Sequence, residues 1–564
     1  MADSTSDSGP KVSSPAANAL IYVTLIAFLA LGIFAGWRSH RNAGLFLKAI
    51  KSQSVLSLSL NFLAVNIGSG IFFSLPEVGT IAGVTGVFAY AFASGAPLFL
   101  FALVGPLFRK HNSKQWSMTA FVRERYGRPL HKLYGVICTL FVGMYMVSEL
   151  TTIYGVFQLL TPLHPLAPMI IICVITTIYT AFGGVFASLM TDAIQCVLIF
   201  VLIIIAVIAV GVSVRPSKED IERAGLVKPT KMGGELFVIL TLAIAFSDMY
   251  HQGFWQRTFA SRNDRDLRWA TFFGFWLVFA VTALVGMAGP LAAWAGTWSP
   301  DSDVPGSSAF FTIIASMPGW VSGLTLILTT SLSCCAIDTC QTAMFASLYD
   351  LVEQKVNIWV VRAVVILLNI PIIFLAMRAP DILQVYLLAD LLASATILPV
   401  LIGLIKKFNF VHWTDALVGC FGGIIAVGAF GQVYIGNRHD GWRLLLLDGG
   451  LYVNDERVLG AFCFAPLGSV VFTFFFAGLR MALTRVFGCR QYWYINTIPI
   501  ADNSEDEEKV DVTKKPLNIS SDQAKSGYAS DNDMVVAPAR ASTIAKLYAL
   551  ARRFIATLQP RVGD

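Results

Sequence analysis

The sequence predicts an all-α integral membrane protein with about thirteen transmembrane helices. Of its 564 residues, 56% are hydrophobic and only 13% are charged, whereas soluble domains carry about 25% charged residues. Its apolar residues also gather into runs near the roughly 20 residues that a helix needs to cross a bilayer. The net charge of +6 is spread over loops without a basic stripe, so nucleic-acid binding is not expected.

The apolar runs give the candidate spans directly. In chain order they are 17–37, 54–83, 84–108, 132–160, 165–182, 184–213, 234–258, 269–297, 314–350, 357–378, 381–405, 413–436 and 457–482. Alternate loops are rich in Lys and Arg, and the positive-inside rule assigns those loops to the cytoplasm. An odd number of spans then places the N-terminus outside and the C-terminus in the cytoplasm. The loop 214–233 is an exception, because it is basic although it falls on the outer side.

The two ends of the chain differ from its apolar middle. The leader 1–16 and the tail 490–564 are predicted to be disordered, because they have too few apolar residues to form a core. Near its end the tail has apolar residues at helical spacing among basic ones. That pattern fits a helix on the inner leaflet, or a partly helical segment that contacts nothing. The tail is also a candidate site for cytoplasmic regulators.

One span is interrupted by polar residues and glycines in its middle. The stretch 63–72 holds Asn66, Ser69 and two glycines, although Gly in a helix interior costs about 1 kcal/mol. An amide at mid-bilayer needs partners that lipid does not offer. This favours a helix broken at 66–70 that faces a ligand cavity. The alternative is a small-residue packing seam in which Asn66 bonds a neighbouring helix.

Ionisable residues are rare inside the spans, and each is a functional hypothesis because holding it there costs a few kcal/mol or more. They are Glu77, Glu149, Asp192, Asp248, His251, Asp338 and Asp390. For Glu77, Glu149 and Asp390, a position at the end of a span, in the water of the headgroup region, is as good an interpretation as a functional site.

The most specific pattern in the chain lies in residues 179–195. It starts with Tyr-Thr, continues with Gly183–Gly184, and ends with Thr-Asp and a Gln. This spacing resembles the signature of the sodium:solute symporter family, and the glycine pair predicts a tight turn between two spans. The pair Asn66-Ile67 is similar to the Asn-Ile of the family's first core helix. The resemblance extends from about Val55 to about Gly423.

The resemblance implies a LeuT-type core of two inverted five-helix repeats, 54–213 and 234–405. The first helix of each repeat would be broken, with solute bound at the breaks. The span 17–37 would be an extra N-terminal helix, and 413–482 would supply two additional helices. The second break would fall in 234–258, which does carry an unusual polar run.

The candidate solute pocket lies at these two breaks. Its predicted residues are Asn66, Ser69, Asp248, Tyr250, His251, Gln252 and Trp255. Buried polar groups with Tyr250 and Trp255 as walls would suit a polar solute. The alternative is that the run from His251 onward lies at the cytoplasmic surface, and that alternative is favoured for Arg257.

The resemblance also implies a sodium site of backbone carbonyls and side-chain hydroxyls. Its positions here are Ala64, Ile67, Ser331, Cys334 and Cys335. The family's hydroxyl pair falls on Cys334 and Cys335, or with a one-residue slip on Cys335 and Ala336. Sodium prefers oxygen, and thiols replace it poorly, so this site is degraded.

A proton is therefore the other candidate for the coupling ion. Asp338 lies one helical turn from the thiol pair, and Asp192 matches a family aspartate near the inner side of the sodium site. Desolvation and a neighbouring carboxylate both favour a protonated carboxyl. Asp192 or Asp338 would take up a proton outside and release it inside.

Together these observations predict a secondary active symporter in the plasma membrane. It would import a small polar organic solute such as urea, an amino acid or a sugar, coupled to Na⁺ or H⁺ by alternating access. Its expected partners are the solute, the coupling cation and membrane lipid. An enzyme is not expected, since no nucleophile–base pair, phosphate loop or cofactor motif is present. The alternatives are a nutrient sensor that signals through its tail and a passive facilitator.

Overall fold

The computed structural model describes residues 12–39, 53–111, 117–353, 355–378, 382–447 and 456–486, and these are mostly helical. Most of the predicted leader and the whole tail 490–564 lie outside the described residues. The expectations of disorder, of an inner-leaflet helix and of regulator binding fall on those segments and stay predictions.

The described residues form nineteen α-helices. The first ten are α1 Ser14–Ser39, α2 Val55–Asn66, α3 Ile71–Gly95, α4 Pro97–His111, α5 Met118–Tyr126, α6 Arg128–Leu160, α7 Leu166–Ser213, α8 Lys218–Ala224, α9 Lys231–Ser247 and α10 Gln252–Ala260. The others are α11 Asp264–Gly286, α12 Ala288–Trp294, α13 Ala309–Ser316, α14 Gly319–Leu351, α15 Ile358–Ala376, α16 Ile382–Leu401, α17 Trp413–Ile435, α18 Arg438–Arg443 and α19 Arg457–Val486.

The predicted multi-span helical membrane architecture is confirmed, but the count of about thirteen spans is not. Within the described ranges, ten helices are long and apolar enough to cross a membrane, or eleven if the bent pair α9–α10 is one span. One reason is that α2 and the segment Leu166–Ala181 are shorter apolar helices. Another is that α3 and α4 together form a single long apolar run.

A kink divides α3 at Gly83, where the sequence predicts the boundary between two spans. Gly83 has φ 64° and ψ −157°, a conformation that only glycine adopts without strain. The next amide, of Val84, donates to the Leu226 carbonyl at 2.8 Å. A Cβ at Gly83 would lie 2.2 Å from that same oxygen. The close approach of the 214–233 loop thus requires a glycine here.

The predicted turn at Gly183–Gly184 is not seen. Both glycines lie within α7, which runs for 48 residues from Leu166 to Ser213. Glycine lowers helix stability by only about 1 kcal/mol per residue. A strongly apolar segment on both sides can therefore keep the helix continuous through the pair.

Several contacts join the segments between the long helices. Arg109 pairs with Asp264 at 3.2 Å, and Arg128 pairs with Glu353 at 2.9 Å. The 214–233 loop meets α12, where the Trp294 indole donates to the Gly225 carbonyl at 3.0 Å. The assignment of alternate loops to the cytoplasm and the outside stays a prediction.

Helix α14 is the most deeply enclosed of the long helices. Nearly all of its side chains between Thr325 and Ala346 are buried. It packs against α6, α7 and the start of the chain in α1. The polar side chains of α14 therefore face other protein groups rather than lipid.

Candidate functional site

Two membrane helices are broken, as the sequence predicts. Helix α2 ends at Asn66, Ile67 is extended with φ −108° and ψ 116°, and α3 begins at Ile71. Helix α9 ends at Ser247 and α10 begins at Gln252, with a bend of 69° between them. Each break leaves backbone amides and carbonyls without partners in their own helix.

The two breaks face one cavity. From the first break, Asn66 and Gly68 line it, and from the second break Ser247 and Asp248 do. Its other polar or aromatic lining residues are Ser74, Tyr90, Ser94, Phe141, Tyr145, Thr282, Tyr386 and Asp390. A concave site with a few convergent polar groups at interrupted helices is the expected place for a transported solute.

The cavity is acidic. Asp248 and Asp390 are both largely buried and both line it. None of the described residues that line it is Lys, Arg or His. The Asp248 Oδ2 atom is buried and has no hydrogen-bond partner within the described part of the chain. Since a buried unpaired acceptor costs about 1–3 kcal/mol, and more when charged, a donor from a ligand would stabilise this site.

Two of the predicted pocket residues stabilise the second break from outside the cavity. The Tyr250 hydroxyl donates to Thr396 at 2.8 Å, and its ring stacks on Tyr134 with centroids 4.7 Å apart. The Trp255 indole donates to the Met249 carbonyl at 2.8 Å. The Trp255 indole thus satisfies a backbone carbonyl of the interruption, and Tyr250 ties the interruption to α16 through Thr396.

His251 and Gln252 also lie behind the cavity wall. The His251 Nδ1 atom accepts from the Gly253 amide at 3.1 Å, which caps α10. The Gln252 amide lies 3.7 Å from the Cys138 sulfur on α6. Of the seven predicted pocket residues, the structure places Asn66 and Asp248 on the cavity wall.

Glu149, on α6, lies at the first break rather than in headgroup water. Its carboxylate is fully buried. One oxygen accepts from both the amide and the hydroxyl of Ser69 at 2.8 Å, and the other accepts from the Tyr386 hydroxyl at 2.9 Å. Sequence reasoning identified Glu149 only as a polar residue in a span, because its partners lie far away in the chain.

Replacing Gly68 with Ala is expected to destabilise the protein by about 1–3 kcal/mol. A Cβ there would lie 1.9 Å from Glu149 Oε1, the oxygen that accepts from Tyr386, so the carboxylate would have to move away from its hydrogen-bond donors. The thermal unfolding temperature of the purified protein measures the effect. The matched control is Gly234→Ala in α9, which meets nothing within 4 Å and should stabilise the helix by about 1 kcal/mol. Equal unfolding temperatures for the two variants would contradict the contact.

The predicted sodium positions lie where α2 and α14 meet. Ala64 and Ile67 stand at the end of α2, where a helix has carbonyls without intrahelical partners. On α14, the Ser331 hydroxyl donates to the Ile327 carbonyl at 2.7 Å. Cys334 and Cys335 are fully buried and provide no hydroxyl.

A hydrogen bond connects this region to the first break. The Ser333 hydroxyl, on α14, donates to the Ser69 hydroxyl at 2.6 Å. Ser69 in turn donates to Glu149. Ser69 thus joins α14 to the break rather than lining the cavity.

The prediction that Arg257 lies at the surface is wrong. Its side chain is fully buried and forms an ion pair with Asp192. It also donates to the Thr339 hydroxyl and to the Gly253 carbonyl, both at 3.0 Å. The bend before α10 turns this helix toward α14, and the buried carboxylate of Asp192 compensates the guanidinium.

Asp338 belongs to the same buried cluster. It accepts from the hydroxyls of Tyr179 and Ser188, the latter at 3.1 Å. Thr339 lies between the two acids, since it accepts from Arg257 and donates to Asp338 at 3.3 Å. Tyr179 and Ser188 both fall in the stretch that carries the family signature, which thus folds around this acid.

The Cys335 thiol donates to Asp192 at 3.3 Å. The two predicted coupling acids therefore lie in one buried cluster next to the thiol positions.

An all-helical membrane protein with two broken helices around a shared polar cavity has the architecture of a secondary transporter. The model of the Sodium:solute symporter family matches residues 46–423. The chain belongs to this family, as its signature indicated, and it is a transporter rather than an enzyme.

Known relatives support this assignment. A spermidine transporter of Candida albicans is 36% identical over 477 residues, which cover 84% of this chain and 91% of that protein. Solute carrier family 5 member 4 of Rattus norvegicus is 26% identical over 209 residues, covering 36% of this chain and 31% of that protein. A Na⁺-coupled sialic acid symporter, solved in a substrate-bound outward-open state, has a TM-score of 0.66. It is 16% identical, and the match covers 82% of this chain and 98% of that one, so the two share the LeuT-type fold.

Proposed function

We propose that this protein is a cation-coupled symporter that imports a small organic cation of the polyamine class across the plasma membrane. The observation that carries the proposal is the pair Asp248 and Asp390 in one cavity, with one carboxylate oxygen lacking a partner in the described chain. The similarity to a spermidine transporter supports the same substrate class.

The charges of the cavity favour an amine over a neutral solute. A sugar or urea would bring no positive charge to these two buried acids, and a buried charge without a counter-charge is costly. A diamine or triamine supplies a positive charge to each acid. The rings of Tyr90, Tyr145 and Tyr386 on the cavity wall add favourable cation–π contacts with ammonium groups.

The transport cycle follows from the two breaks. The amine binds between Asp248 and Asp390 when the cavity is open to the outside, and the site then closes and opens inward as one helix bundle rocks against the other. An inside-negative membrane potential favours inward transfer by about 2.3 kcal/mol per positive charge per 100 mV. A polyvalent amine therefore gains driving force from the potential in addition to that from the coupled ion.

Sodium is the coupling ion that membership of the family favours. The thiols of Cys334 and Cys335 replace the expected hydroxyls, so we expect a weak sodium requirement. A proton is the second candidate, because Asp338 is a buried carboxyl that accepts from Tyr179 and Ser188 beside that site.

Uptake of radiolabelled spermidine into vesicles that hold the purified protein tests the proposal. We expect accumulation above that of empty vesicles, and a larger one with an inward sodium gradient than with potassium. If a proton gradient alone drives uptake, and Asp338→Asn abolishes that drive, the proton is the coupling ion. Accumulation of a neutral solute such as urea, without any uptake of spermidine, would contradict the proposed substrate class.

A further inference from the structure

The first break ends at the N-terminus of α3, which is a site that attracts anions. The first amides of a helix have no intrahelical partners and carry a positive partial charge. In transporters with broken helices, such an end binds the anionic group of the substrate. Here it borders the solute cavity, because Gly68 and Ile71 on either side of it are lining residues.

The protein fills this end with its own carboxylate. Glu149 accepts from the Ser69 amide and hydroxyl, both at 2.8 Å. Its other oxygen is held by Tyr386, whose ring lines the cavity. The side chain is fully buried, so these donors are directed to Glu149 and not to solvent.

The fit leaves no space for a second carboxylate at the same position. Even one added carbon at Gly68 would lie 1.9 Å from Glu149 Oε1. A second anion would also lie beside a buried negative charge, and like charges repel strongly where water is excluded. Glu149 thus accepts the hydrogen bonds that this helix end can donate, and its negative charge lies in the positive potential of the helix end.

We propose that Glu149 is a specificity-determining residue, which replaces a substrate carboxylate at the first break and so excludes solutes that carry one. This inference rests on the proposed transport of amines. It separates putrescine from ornithine, two diamines that differ by a carboxylate on the same carbon chain. Putrescine is accepted and ornithine is rejected.

Transport of the two labelled diamines by the full-length protein in vesicles tests the inference. The wild type is expected to favour putrescine by tenfold or more, about the value of one hydrogen bond to a charged group. Glu149→Ala should lower putrescine transport and raise the ornithine-to-putrescine ratio by about tenfold, because the substrate carboxylate can then reach Ser69.

Acetate added to Glu149→Ala should restore part of the putrescine transport. Glu149→Gln keeps the shape of the side chain and should raise the ratio to a smaller extent.

Matched controls separate this inference from the proposed function. Glu222→Gln makes the same chemical change at an exposed site and should leave the ratio unchanged, and elution of each variant as a single species shows that it is folded. A wild type that transports ornithine as well as putrescine overturns the inference, whatever the variants do. An unchanged ratio in a folded Glu149 variant also overturns it, whereas a wild type that transports no amine overturns the proposed function.

Discussion

Replacing Arg257 with Leu is expected to lower the free energy of unfolding by about 3–5 kcal/mol. The substitution leaves Asp192 as a fully buried carboxylate without its cation. It also removes the donors to Thr339 and to the Gly253 carbonyl. Thermal unfolding of the purified protein in detergent should show a large drop in midpoint temperature.

Two further variants show whether the ion pair is the cause. Arg257→Lys keeps the charge but not the fork of donors, so its midpoint should lie between those of Arg257→Leu and the wild type. The double variant Asp192→Leu/Arg257→Leu removes both charges and should recover much of the lost stability.

The matched control for Arg257→Leu is the exposed pair Arg223–Asp220, with an N–O distance of 3.3 Å. Arg223→Leu should leave the midpoint temperature almost unchanged, because exposed ion pairs contribute little. If Arg257→Leu unfolds at the same temperature as Arg223→Leu, the ion pair does not contribute the stability expected of a buried one.

The buried position of Arg257 could not be predicted from the sequence. A basic residue ten positions beyond the end of α9 would reach the membrane surface if that helix continued straight. The 69° bend instead turns α10 inward, and the partner of Arg257 lies 65 residues earlier in the chain. Neither the direction of a bend nor a distant partner can be read from local composition.

The two breaks themselves could be predicted, because they are local features. Glycine, Asn66 and Ser69 in one apolar run, and Asp248 with His251 in another, conflict with a regular lipid-facing helix. The division of roles among these residues could not be predicted. Asp248 faces the cavity while His251, three residues later, caps α10 behind it.

Glu149 and Asp390 illustrate a related difficulty. Each is an isolated acid in an apolar span, and the sequence fits either a functional site or headgroup water. Glu149 is connected to a serine 80 residues earlier and to a tyrosine 237 residues later. Only the packing of α6 between the first break and α16 brings those groups together. The predicted turn at the glycine pair in α7 was wrong for the opposite reason. The local sequence indicates a turn there, but the apolar residues on both sides keep the helix continuous.

Neutralising either cavity acid is expected to weaken spermidine uptake strongly. Asp248→Asn and Asp390→Asn should each raise the KM by about ten- to a hundredfold, since a hydrogen bond to a charged group contributes about 1.5–3 kcal/mol. The isosteric amides keep the volume of the cavity, so a change in KM reports the lost charge rather than a lost shape. Initial rates of spermidine uptake over a concentration series measure it.

The number of charges on the substrate sharpens this test. A monoamine pairs with only one carboxylate. Neutralising the other acid should therefore change the uptake of a monoamine less than it changes the uptake of spermidine. The double variant Asp248→Asn/Asp390→Asn should lose the preference for spermidine over a monoamine altogether.

Asp301→Asn, at an exposed position between α12 and α13, is the matched control and should leave the KM for spermidine and the KM for the monoamine unchanged. If both single variants transport spermidine with the wild-type KM, the two acids do not bind the solute, and the organic-cation assignment loses its physical basis.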